Sequence, residues 1–479
     1  MQTGTIITLG LYFALMIAIG FYAWRKSTAD ADDYILGGRQ VGPAVTALAA
    51  GAADMSGWLM MGLPGALYVT GLAESWIAIG LFIGAFANWI IVAPRLREQT
   101  VSVGDALTIP EFLGKKFKDK SNLLRLVSSI VIIIFFTLYS SSGLVAGGKL
   151  FQSAFGADYV TGIWITAAVV VAYVVMGGFL AVSLTDFVQG TIMVIALIAV
   201  PAIAYFSLGN EQSLTGILNT IDPNLLSLTQ GTTVLGVISA AAWGLGYFGQ
   251  PHIIVRFMGI RSVDDIPTAR NIGMAWMGLC MLGALAIGLV GRAWTSANGI
   301  ALADPETIFV EMAKSLLSPL LYGFVLAAIL AAVMSTISAQ LLVTASSLTE
   351  DVYRLFFNRT LTDTQSVNVG RLFVLLVAAV AIMLAWNPDS SVLGLVSNAW
   401  AGFGAAFGPV IILSLTWRKM TRNGALAGMI VGAATVIAWT ALGWSSWLYE
   451  IVPGFIAAWI AVVAVSLMGK PHEATDAEA

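Results

Sequence analysis

The sequence is poor in charge. Of 479 residues, 23 are lysine or arginine and 26 are aspartate or glutamate, 10% in all, against about 25% in an ordinary soluble protein. So few charges cannot cover a soluble body of this size, and 58% of the residues are hydrophobic. The chain has to be solvated by lipid. A net charge of −3 allows no strongly basic face, which excludes a nucleic-acid binder. A single cysteine, Cys280, excludes a disulfide framework. Two histidines beside it leave little material for a zinc site or a Cys/His catalytic pair. No Gly-x-x-x-x-Gly-Lys-Ser/Thr loop occurs, so ATP-driven pumping is not expected. The expectation is an all-α polytopic membrane protein that is not an enzyme and draws any work from an ion gradient.

Windows free of charge and near 20 residues long cross about 30 Å of hydrocarbon as helices. They fall at 5–24, 75–94, 126–148, 159–185, 187–210, 223–255, 271–291, 315–349, 372–388, 390–417, 423–449 and 451–469, with 40–73 interrupted only by Asp54. That predicts thirteen spans and opposite sides for the termini. With the N-terminus outside, only Lys149, Arg292 and Lys314 of the 23 basic residues fall outside, a strong positive-inside bias. The C-terminus is thus expected in the cytoplasm, and the chain forms a single transmembrane domain with a disordered tail over 471–479. The first span carries its charges after the apolar run and reads as retained rather than cleaved.

The informative residues are those expensive in lipid. Asp54 sits in Gly51-Ala52-Ala53-Asp54-Met55-Ser56-Gly57-Trp58, where a carboxylate near mid-membrane costs ~3 kcal/mol on insertion scales. Its small neighbours favour an unwound stretch whose carbonyls line a cavity. A structural aspartate capping a helix break is the plainer alternative. The seventh span holds Trp243-Gly244-Leu245-Gly246-Tyr247-Phe248-Gly249-Gln250-Pro251-His252, too rich in glycine and proline for a regular helix. Trp243 and Tyr247, four apart, would share a face of a continuing helix. The two breaks lie five helices apart, and an odd repeat makes two copies antiparallel in the membrane. Helices 2–6 (42–210) and 7–11 (223–417) would form inverted repeats. In the ninth span Ser335 and Ser338 share a face beside Thr336, and hydroxyls with backbone carbonyls make an oxygen-only shell suited to Na⁺. Helix-to-helix adhesion is the plainer reading of those hydroxyls. Thr185 or Asp186 either caps the sixth helix at the cytoplasmic face or lines an ion exit.

The Asp54 segment, Gly177-Gly178 with Thr185-Asp186 and Gln189, and Ser335-Thr336 together resemble the sodium/solute symporter family. So do Thr108-Ile109-Pro110-Glu111-Phe112-Leu113 and Trp417-Arg418-Lys419 with Thr421, Gly424-Ala425 and Gly428. The likeness runs from about residue 5 to 470. It implies a single transporter domain in a bacterial cytoplasmic (inner) membrane, with a five-plus-five inverted-repeat core and Na⁺ as the coupling ion. The sodium would lie between the second and ninth helices, held by the carbonyls of Ala52, Met55 and Ala332 and the hydroxyls of Ser335 and Thr336. Asp54, Asp186 and Ser338 would support the ion's path. Ser56, Gly57, Tyr139, Trp243, Tyr247 and Pro251 would meet the substrate. The segments 53–65 and 243–252 narrow the likeness to the branch that carries L-proline. Where some relatives have two consecutive serines for a second sodium, this chain has Ser338-Ala339, so one sodium per proline is expected. The alternatives are the same fold carrying another amino acid, pantothenate or a sugar acid, a transporter-like sensor, or a passive channel. No obligatory protein partner is evident.

Overall fold

A chain in lipid must satisfy its own backbone hydrogen bonds, and this one does so with helices. The computed structural model describes residues 2–26, 31–209, 213–357, 361–388 and 391–469. The tail expected over 471–479 lies outside these residues. The segments that matter here are α1 (Thr3–Lys26), α2 (Pro43–Asp54), α3 (Leu63–Thr70), α4 (Ser75–Ile91), α5 (Ala93–Ser102), α6 (Ile109–Lys116), α7 (Leu123–Phe155) and α8 (Tyr159–Ser207). They continue with α9 (Val234–Ala241), α10 (Pro251–Gly259), α11 (Ile266–Ala297), α12 (Ile308–Leu316), α13 (Pro319–Ser347), α14 (Asp363–Leu384), α15 (Val392–Thr416), α16 (Arg422–Ala441) and α17 (Ile451–Met468).

Ten helices among the described residues are long and apolar enough to cross a membrane, against thirteen expected spans. The difference arises at three places. The seventh expected span is split into the short α9 and α10, separated by a 3₁₀ stretch over Ala242–Gly249. The second is split into α2 and α3, and α3 runs through a tight turn into α4. The fifth and sixth lie in the single run α8, which contains Gly178 at φ 52°, ψ −141°, a conformation open essentially to glycine alone.

At Gly178 the run folds back. In one straight helix Tyr173 and Gln189 would stand about 24 Å apart. Instead Tyr173 Oη donates to the Met334 carbonyl (3.1 Å), Tyr12 Oη lies 3.7 Å from Met334 Sδ, and Gln189 Nε2 donates to Tyr12 Oη (2.8 Å). Asp186 therefore does not open the sixth helix as a cap. It lies two turns past the bend, and Thr185 bonds back to the Ala181 and Val182 carbonyls.

Small residues bring backbones together around the two breaks. A Cβ on Gly80 or Gly84 of α4 would come within 2.1 Å of the Ala241 or Gly244 carbonyl. Val41 N–H donates to Gly259 O (3.3 Å) and Arg261 N–H to Val41 O (3.1 Å), which ties the start of α2 to the end of α10. On the other side of the breaks stand α7 and α13, joined by Ser140 donating to Gln340 Oε1 (3.0 Å). The start of α7 and the end of α13 meet at Asp351, which is fully buried. It pairs with Arg125 at 2.9 Å and accepts from Thr108, the N-cap of α6, at 2.8 Å. Near the opposite end of α7, Lys149 reaches Asp304 and Glu306, both at 3.0 Å.

Candidate functional site

The second-span break is a true interruption. α2 ends at Asp54, Met55 takes φ −79°, ψ 79°, and the chain resumes through one wide turn over Trp58–Gly62 into α3. Trp58 Nε1 donates to the Asp54 carbonyl (3.0 Å) and holds the bend. Opposite it, on α13, Ser335 Oγ donates to the Ala52 carbonyl (2.7 Å) and to Ala332 O (3.0 Å). Thr336 Oγ1 approaches Ala332 O at 3.3 Å. The oxygens of Ala52, Ala332, Ser335 and Thr336 are thus brought together at the contact between α2 and α13. Met55 is fully buried one residue beyond α2. Ser338 points elsewhere, donating to the Ser335 carbonyl (2.8 Å) beside Tyr173.

The Asp54 carboxylate does not face α13. Its Oδ2 accepts a hydrogen bond from the Tyr247 hydroxyl, while Oδ1 has no partner among the described residues. Asp186 is the other buried acid of the predicted set. Arg256 pairs with it at 3.0 Å, donates to Ser183 Oγ (2.9 Å) and lies over the Phe179 ring (4.7 Å). Only 3% of Arg256 is exposed.

Aromatic rings surround the region between the breaks. Trp243 stacks on Tyr449 at 5.4 Å and lies 6.4 Å from Trp58. Tyr247 meets Trp400 edge-on at 5.2 Å, and Trp400 Nε1 donates to the Trp243 carbonyl (2.7 Å). Trp243 and Tyr247 do not share a face. In the 3₁₀ turns they occupy, a step of four residues leaves them about 120° apart. Tyr139, 1% exposed, lies beside Asp54 and Ser56, and its hydroxyl has no partner among the described residues. Gly57 is a close-approach position, where a Cβ would stand 2.8 Å from the Ala146 Cβ of α7.

Pro251 is not gathered with Trp243 and Tyr247. It opens α10 and lines a separate small cavity of about 20 Å³ with Arg256, Phe179, Ile35 and Thr108. His252, Trp400 and Tyr449 escaped the sequence reading. His252 is fully buried, edge-on to Phe136 (5.1 Å) and Tyr139 (5.9 Å), and neither ring nitrogen has a partner among the described residues. A histidine one residue past the Gly/Pro break was the available signal. Nothing in the order of residues marked Trp400 or Tyr449, which reach the site from α15 and from the turn before α17.

A model of the sodium:solute symporter family matches residues 34–432. The chain belongs to the sodium:solute symporter family. This symporter is 55% identical over 472 residues to the osmoregulated proline transporter OpuE of Bacillus subtilis (strain 168), covering 98% of this chain and 96% of that one. It is 57% identical over 453 residues to the high-affinity proline transporter PutP of the same organism, covering 95% and 96%. The sodium/proline symporter of Staphylococcus aureus (strain JH9) is 50% identical over 476 residues, covering 97% and 93%. Among solved structures, a Na⁺-coupled sialic acid symporter superposes with a TM-score of 0.83 at 19% identity, covering 98% of this chain and 99% of that one. Mhp1, a nucleobase-cation-symport-1 family transporter, superposes at 0.58 with 14% identity, covering 95% and 98%. At those identities the likeness is one of fold. The symporter is a multi-span membrane transporter, not an enzyme, and Na⁺ is its coupling ion.

Proposed function

We propose that this symporter carries L-proline into the cell with one sodium ion per proline, by alternating access. The observation that carries the reading is near-full-length identity of 50–57% to three proteins named for proline transport. The wall of Trp58, Trp243, Tyr247 and Trp400 supports it, since flat rings suit a small apolar ring. No cationic side chain stands among those residues, which disfavours a sugar acid. The same relatives favour a bacterial cytoplasmic membrane, and the distribution of basic residues favours an outer N-terminus with thirteen crossings. Residues 42–210 and 223–417 are then the inverted repeats, with one break each.

Sodium is held between α2 and α13 by the carbonyls of Ala52, Met55 and Ala332 with the hydroxyls of Ser335 and Thr336. The contact at 2.7 Å between Ser335 and Ala52 supports this set, because an ion there bridges the break and fixes Ser56 and Gly57 just beyond it. The carboxylate of the amino acid faces free amides at the break, where the helix dipole is positive. Tyr139, Trp243 and Tyr247 enclose its ring. α2, α4, α10 and α11 then rock against α7 and α13, sodium leaves past Ser338 and Asp186, and proline follows past Pro251 to the cytoplasm. Uptake of radiolabelled L-proline into proteoliposomes tests the reading. Accumulation above the bath level only with an inward sodium gradient is expected. Equal uptake without sodium would leave a passive channel, and no proline uptake from a preparation that moves another solute would replace the substrate.

A further inference from the structure

Asp54 is a buried acid with no cationic side chain paired to it among the described residues. Asp186, Asp351, Glu350 and Asp119 each pair with an arginine, whereas Asp54 has only the Tyr247 hydroxyl, on one of its two oxygens. An uncompensated carboxylate in a low-dielectric interior costs several kcal/mol. The free oxygen belongs to a definite place. Ala50, Gly51 and Asp54 form one face of α2, and together with Asn88 of α4, Tyr247 and Met277 of α11 they line one cavity. Asn88 is 1% exposed, and its Oδ1 also has no hydrogen-bond partner among the described residues. Two buried oxygen acceptors lacking donors therefore line the same space.

That space is distinct from the contact with α13. Ala52 and Asp54 are two residues apart on α2, so they point to opposite faces, and none of the residues lining the cavity belongs to α13. We propose that Asp54 Oδ1 and Asn88 Oδ1 form a second cation site, enclosed among α2, α4, Tyr247 and α11, which takes a sodium ion. Oxygen-only donors select a hard cation, and one positive charge neutralises the Asp54 carboxylate. All its walls belong to the elements that carry the two breaks and their immediate neighbours. Separation of α2 from α13 leaves it closed, so its ion is a resident one and adds nothing to the coupling ratio.

The assignment does not depend on Ser335 and Thr336, and equilibrium binding of ²²Na⁺ to the purified full-length protein in nanodiscs separates the two. Without substrate, the wild type is expected to saturate at two sodium ions per chain. Asn88→Leu, which removes the amide oxygen at similar size, should bind one, and Asn88→Asp should keep two. Ser335→Ala with Thr336→Ala should also leave one, at the Asp54 site. One sodium per wild-type chain, an unchanged count in Asn88→Leu, or no residual binding in the Ser335/Thr336 variant would overturn the second site, the occupant then being water or a proton. Two ions remaining in the Ser335/Thr336 variant with one in Asn88→Leu would remove the α13 site instead and leave this one standing. Should Asn88→Leu fail to fold, the wild-type and Ser335/Thr336 counts decide alone.

Discussion

The hydroxyls of Ser335 and Thr336 on α13 and that of Tyr247 at the second break do different work, and separate substitutions distinguish them. Ser335 and Thr336 offer oxygens to the contact between α2 and α13. Replacing both with alanine leaves the helix intact and deletes two proposed ligands, so the sodium concentration for half-maximal uptake should rise at least tenfold. An unchanged sodium dependence would dismiss that ligand set. Tyr247 instead donates to the Asp54 carboxylate. Tyr247→Phe keeps the ring against Trp400 but withdraws the hydrogen bond, and a bond to a charged group contributes ~1.5–3 kcal/mol. At a factor of ten per ~1.4 kcal/mol, uptake per unit substrate should fall by roughly tenfold to a hundredfold while the protein still reaches the membrane. Normal kinetics in Tyr247→Phe would mean that Asp54 is held by other groups.

At the scale of the element, the ties between helices carry stability. Asp351 joins the ends of α6, α7 and α13 through Thr108, Arg125 and Ser347. Arg125→Leu would strand a fully buried carboxylate, which costs about 3–5 kcal/mol. The temperature at which the detergent-solubilised protein aggregates should fall markedly. Arg125→Leu with Asp351→Leu should recover part of that loss, since no charge is then left unpaired. Equal damage in the single and double variants would show that the pair acts only through packing. The same element scale explains what could be read from the chain. The two breaks were legible because glycine and proline act on their own backbone, and the hydroxyl face of α13 was legible from a spacing of three. The fold-back in α8 was placed near Asp186 because that was the first charge, yet the turn needs the φ of Gly178 and comes eight residues earlier. The pair of Asp186 with Arg256 joins residues 70 apart in sequence. No period or local propensity encodes such a contact. Trp400 and Tyr449 were missed for the same reason, because they enter the site only through packing of α15 and the turn before α17.

For the whole molecule the decisive quantity is the charge moved per cycle. Proline is a zwitterion without net charge, so one sodium per proline moves one positive charge inward. Across 100 mV that releases ~2.3 kcal/mol, and a tenfold sodium gradient adds ~1.4 kcal/mol. Their sum, ~3.7 kcal/mol, sustains an accumulation of a few hundredfold at the same tenfold-per-1.4 rate. Clamping the membrane potential to zero with potassium and valinomycin leaves the chemical gradient alone, so steady-state accumulation in proteoliposomes should fall about fortyfold, to roughly tenfold. Two coupled sodium ions would square each factor and leave about a hundredfold at zero potential. The measurement thus reads the coupling ratio without counting bound ions. It also bears on the cavity beside Asn88: an ion that stays enclosed through the cycle is visible to equilibrium binding and invisible to the voltage dependence, so a binding count of two with a coupling ratio of one is the signature of a resident cation. A coupling ratio of two would mean that this cavity opens in every cycle, and that the helices around it part from one another as well as from α13.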